Sequence, residues 1–90
     1  MSIKNDCRNL NLACAKFLQP RLEYVAAHHT SYPMGMDSDE WKRKLIVASD
    51  ALLAYVKVYD EWEPNNEHVI NSNAQDAMLF VAAYFLHLWD

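Results

Sequence analysis

Few side chains in this sequence belong to types that ligate, cleave or transfer, and their spacing decides what they can do. His28 and His29 form the only histidine pair, and imidazole is the commonest metal ligand. Adjacent positions on a helix point about 100° apart, so the two rings cannot easily share one ion. Cys7 and Cys14 are seven residues apart. On one helix that puts them two turns, about 10 Å, from each other, beyond disulfide reach. No spacing of these cysteines with the histidines resembles a zinc module, and His68 and His87 are isolated in the sequence. The expectation is two reduced thiols in the core, with no metal and no cofactor. General acid and base chemistry needs carboxylates that converge in a pocket. Asp37, Asp39 and Glu40 instead stand where a helix would begin, and Asp60, Glu61 and Glu63 where one would end. Ser49 lies beside Asp50 with no nucleophile-elbow pattern around it. These residues predict a protein that is not an enzyme.

The elements that carry them read as helices. Asp37 precedes Glu40 by three positions, an acidic form of the capping box. Trp41, Leu45, Ala48, Leu52, Tyr55 and Tyr59 then recur every three or four residues, with Val56 and Trp62 on the same edge. That is the stripe of a core-facing helix, predicted over 37–62. Pro64, Asn65 and Asn66 end it or start the next helix. Upstream, Cys7, Leu10, Cys14, Phe17 and Leu18 predict a first helix over 3–19, capped by Asn5 or Asp6, with Leu22, Val25, Ala26 and His29 continuing its stripe beyond Pro20. A kink at Pro20 accounts for both halves, and a fresh helix starting at Pro20 is the alternative. Downstream, the pattern predicts a helix from about Glu67 to Trp89, with a loop and a new cap at Ser72 as the alternative for its front, and its second half is apolar around most of its circumference. Such a helix must be covered on more than one side. The expected fold is all-α: one domain over 1–90, a small bundle of three main helices, the first kinked at Pro20 and the last two antiparallel.

Composition limits the partners. A net charge of −4 disfavours direct nucleic-acid binding, which needs clustered cations, and favours a protein partner. No apolar run reaches membrane-spanning length, and MSIKND lacks the apolar region of a signal peptide, so the cytoplasm is the expected location. Hydrophobic residues make up 52% of the chain and aromatic residues 12%, enough for a dense core with apolar surface left over for docking or self-association. The segment over 30–36 holds Tyr32, Pro33, the only glycine (Gly35), and two methionines, Met34 and Met36. It reads as the one true loop, with the adaptable apolar contact surface that partner-binding loops use. The alternative is that Tyr32 and Met34 fold back as a lid on the core. Tyr32, Met34 and Met36, with the acidic Asp37, Asp39, Asp60, Glu61 and Glu63, are the candidate partner-binding residues.

Four groups of residues carry a resemblance: Leu18, Pro20, Arg21 and Leu22; Pro33 and Gly35; Asp39, Glu40, Trp41 and Leu45; and the terminal Tyr84, Phe85, Leu88, Trp89 and Asp90. In this order the chain resembles a family of small helical bacteriophage proteins, with Lys44, Ser49, Leu52 and Ala77 departing from the pattern. The resemblance implies a viral protein acting in the cytoplasm of a bacterial host. By class-level analogy it implies one that binds a host protein, such as a component of CRISPR-Cas or another defence system. Two other functions remain open. One is an oligomeric sponge for a nucleotide signal, using aromatic residues with Arg21, Lys42 and Arg43. The other is a phage structural or assembly protein. A homodimer fits all three.

Overall fold

The structure, a computed structural model, describes residues 3–61 and 67–89, and within them every side chain except those of Asp6, Tyr59, Asp60 and Glu61. It is all-α among these residues: α1 (Ile3–Arg8), α2 (Leu10–His28), α3 (Ser38–Glu61) and α4 (Glu67–Ala83), followed by a 3-10 turn at Phe85–His87. Trp62, Pro64, Asn65 and Asn66, on which the predicted boundary between the last two helices rests, lie outside the described residues.

The Asp37 half of the capping signal of α3 is realised. The Asp37 carboxylate accepts the Glu40 backbone N–H at 2.8 Å, and the Asp37 carbonyl accepts that of Trp41 at 3.1 Å. Four residues of the predicted stripe, Trp41, Leu45, Ala48 and Leu52, are buried. Tyr55 and Val56 pack partly buried at its edge. Burying side chains the size of Leu45 and Leu52 contributes about 2 kcal/mol each.

α3 lies between α2 and α4, and the two flanking helices scarcely touch. Asn11 donates to the Tyr55 hydroxyl, Gln19 pairs with Ser49, and His29 pairs with Ser38. The numbers rise on α2 as they fall on α3, so these helices are antiparallel. Trp41 near the start of α3 meets Phe80 and Tyr84 at the end of α4, so α3 and α4 are antiparallel as well. The resulting body measures 37 × 31 × 20 Å.

α2 continues through Pro20 as one helix, which excludes a fresh helix starting there. The departure from expectation is the break at Asn9, where φ is −140° and ψ is 66°. Asn5 and Asp6 therefore lie inside α1 instead of capping it. Beside Pro20 the helix is tied to α3: the buried Ser49 hydroxyl donates to the Gln19 carbonyl at 3.1 Å, and Gln19 Nε2 donates to Ser49 Oγ at 3.1 Å. The buried stripe of α2 is Ala15, Leu22 and Ala26, flanked by Leu18 and Val25, so Leu10 and Phe17 sit half exposed on another face. Cys7 and Cys14 are on different helices, and Cys7 is exposed, which removes it from the core.

The C-terminal helix starts at Glu67 as read from the sequence but stops at Ala83 instead of Trp89. Tyr84 is level with Trp41, in the first turn of α3, so a longer α4 would run past the end of its only substantial neighbour. The chain tightens instead, with Tyr84 accepting from His87 N–H at 2.9 Å, and Leu88 folds back against the core.

Candidate protein-binding surface

Antiparallel packing brings the α2–α3 loop and the segment after α4 to the same end of the bundle. The loop is shaped by two anchors. Pro33 is buried, and its carbonyl accepts the Met36 N–H at 3.2 Å across a turn in which Gly35 has φ +92°. That backbone region favours glycine. On the α2 side, His29 closes the helix against α3. Its Nδ1 lies 3.1 Å from the Ala26 carbonyl and its Nε2 2.8 Å from the Ser38 hydroxyl. A carbonyl only accepts, so Nδ1 carries a proton, and Nε2 pairs with the Ser38 hydroxyl, which can donate or accept.

Between these anchors the turn projects Met34 completely into solvent, at 101% relative exposure, and leaves Tyr32 half exposed. Met36 packs partly buried against the core. The lid reading, made for Tyr32 and Met34, thus fails for Met34 and leaves Tyr32 half exposed. Asp37 and Asp39 are exposed at the start of α3, and Asp37 is occupied in capping. The other acidic candidates belong elsewhere. A helix of 24 residues is about 36 Å long, so the backbone of Asp60 and Glu61 lies at the opposite end of α3 from the loop. The side chains of Asp60 and Glu61, and all of Glu63, lie outside the described residues.

In place of those acids the fold supplies three residues that sequence reasoning had assigned to a covered helix. Phe85, Leu86 and Trp89 are all more than half exposed in the segment after α4. The signal that could have found them is length: α3 begins at its cap Asp37, and an antiparallel partner has nothing to pack on beyond it. The same end of the bundle therefore carries Tyr32, Met34, Phe85, Leu86 and Trp89, with an aromatic base in its core. Trp41, Phe80 and Tyr84 form that base, with ring centroids 5.2 to 5.6 Å apart in every pairing. Tyr, Trp and Met are residue types enriched in interface cores, and ordered aromatics lose little side-chain entropy on binding.

The remaining candidates are dispersed. His28 stacks on Tyr24 at 4.1 Å while His29 engages Ser38, and no group of three metal-ligating side chains occurs among the described residues. Arg21 lies 3.9 Å over the Phe17 ring on the outer face of α2, a helix away from Lys42 and Arg43. Ser49 is held by Gln19. Two shallow grooves flank α3. One crosses Leu52 between α2 and α4 and encloses about 530 Å³; the other lies between α3 and α4 and encloses about 440 Å³. No helix among the described residues is long and apolar enough to cross a membrane. Compared with known protein families, curated proteins and solved structures, the chain matches none of them.

Proposed function

We propose that this chain is a non-enzymatic protein-binding module that engages its partner through the bundle end bearing Tyr32, Met34, Phe85, Leu86 and Trp89. The observation that carries the reading is that five exposed apolar side chains lie at the loop end of a small acidic bundle, three of them within residues 85–89. Scattered surface hydrophobics are ordinary, whereas apolar side chains grouped on one surface mark interaction sites. The resemblance to small bacteriophage proteins supports a host protein as the partner, in the bacterial cytoplasm, with inhibition of a defence system such as CRISPR-Cas as the outcome.

The test is affinity purification of the tagged chain from bacterial cells, with mass spectrometry of what co-elutes, repeated with Met34→Ala and Trp89→Ala. The expected result is one stoichiometric host protein, lost with either variant while the helical signal is retained. Retention of the same protein by both variants would place the contact elsewhere. A second copy of this chain is the rival occupant. Its signature is a mass that rises with concentration in sedimentation and stops rising with Trp89→Ala.

A further inference from the structure

We propose that the groove between α3 and α4 binds a guanine nucleotide. Arg43 and Lys44 would hold its phosphate, Phe80 and Val47 would pack against its ring, and Asp76 would accept from its N1–H and N2–H edge.

The groove encloses about 440 Å³, within the range of small-molecule sites. Arg43 and Lys44 stand on one bank, in the only run of three consecutive cations of an acidic chain, Lys42 to Lys44. Neither has a hydrogen-bond or ion-pair partner among the described residues, and neither has Asp76 on the facing bank. Ala48 and Ala77 are the buried floor. Their small side chains leave the space that larger ones would fill.

The antiparallel pairing orders these groups along the groove. Phe80 on α4 is level with the cations at one end, Asp76 comes one turn further in beside Val47, and Asn73 lies at the far end beside Ala51. From Arg43 to Ala51 the groove runs along about 12 Å of helix, which suits a mononucleotide and is short for a dinucleotide. An anion at the cation end meets two charged donors. A planar ring next to it meets Phe80 and the exposed Val47, and aromatic side chains stack with nucleobases.

Asp76 decides the base. A carboxylate only accepts, so it disfavours a bare anion and selects a ring edge made of donors. Guanine presents two adjacent donors, N1–H and N2–H, that match the two carboxylate oxygens. Adenine and cytosine each present one amine beside an acceptor nitrogen, which would face a carboxylate oxygen unfavourably. The Asn73 amide, on the same bank one turn from Asp76, would donate to guanine O6. This site shares only Phe80 with the aromatic cluster under the bundle-end surface, none of whose exposed residues lines the groove, and its failure would leave the protein-binding reading untouched.

The experiment is ligand-observed saturation-transfer NMR and calorimetry on the full chain, with GMP, AMP, CMP and inorganic phosphate as probes. GMP is expected to bind most tightly. Replacing Arg43→Glu and Lys44→Glu together should weaken it by at least the order of tenfold. Asp76→Asn should abolish the preference for GMP over AMP while AMP binding persists. All three positions are exposed, so circular dichroism should show folded variants, and Asp76→Asn decides the matter if the double variant is not. No transfer from any nucleotide at millimolar concentration would overturn the proposal. So would equal binding of phosphate and GMP, or a GMP preference that survives Asp76→Asn.

Discussion

Trp41 is fully buried, yet its indole N–H has no hydrogen-bond partner among the described residues. Two opposing terms therefore meet in one side chain. The rings of Phe80 and Tyr84 lie 5.6 and 5.5 Å from it, and deleting a core aromatic to alanine costs about 3–5 kcal/mol. A chain of 90 residues has a total stability of roughly 5–13 kcal/mol, so Trp41→Ala should remove a large fraction of it. Trp41→Phe keeps one ring against Phe80 and Tyr84. It gives up about 1–3 kcal/mol of packing and removes a buried unpaired donor whose desolvation costs about 1–3 kcal/mol. The net change should fall within about 2 kcal/mol of zero, below the about 3–5 kcal/mol of Trp41→Ala. Urea denaturation followed by far-UV circular dichroism measures both variants without relying on tryptophan emission. If Trp41→Phe proves as destabilising as Trp41→Ala, the N–H is satisfied and the reasoning fails.

Ser49→Val should destabilise the fold by about 1–2 kcal/mol although it adds apolar volume, because the variant leaves the Gln19 carbonyl and amide without the hydroxyl they share; the urea midpoint reports it. Gly35→Ala should cost about 1 kcal/mol through its positive φ alone, since nothing lies within 4 Å of the added methyl. A lowered melting temperature is the expected sign, and unchanged stability would refute it.

The start of α3 was legible because Asp37 and Glu40 state it chemically and the stripe from Trp41 to Leu52 has a single period. The break at Asn9 was not. Asn5, Asp6 and Asn9 are all residues that cap, and the apolar positions on either side of Asn9 follow one another at helical spacing. Phe17 was misplaced for a related reason: α2 carries two apolar faces, and only the presence of α3 decides which one is inside. The terminal aromatic block was read as core because apolar residues there resemble a buried helix. Its exposure follows from where the neighbouring helix begins, a relation between elements that no local window contains. The two acidic groups, Asp37 with Asp39 and Asp60 with Glu61, look equivalent by composition, and only the length of α3 separates them.

The position of α3 between two helices that scarcely meet has a kinetic consequence. Nearly all long contacts join segments adjacent in the chain, and such local topologies fold quickly. α2 and α3 form one hairpin and α3 and α4 another, so the seam along α4 can open while the Gln19–Ser49 and His29–Ser38 pairs stay closed. Backbone amides of α4 would then exchange with solvent ahead of those in α3. The helix that carries Phe80 and leads into Trp89 is then expected to be released first, and slower exchange in α4 than in α3 would refute it.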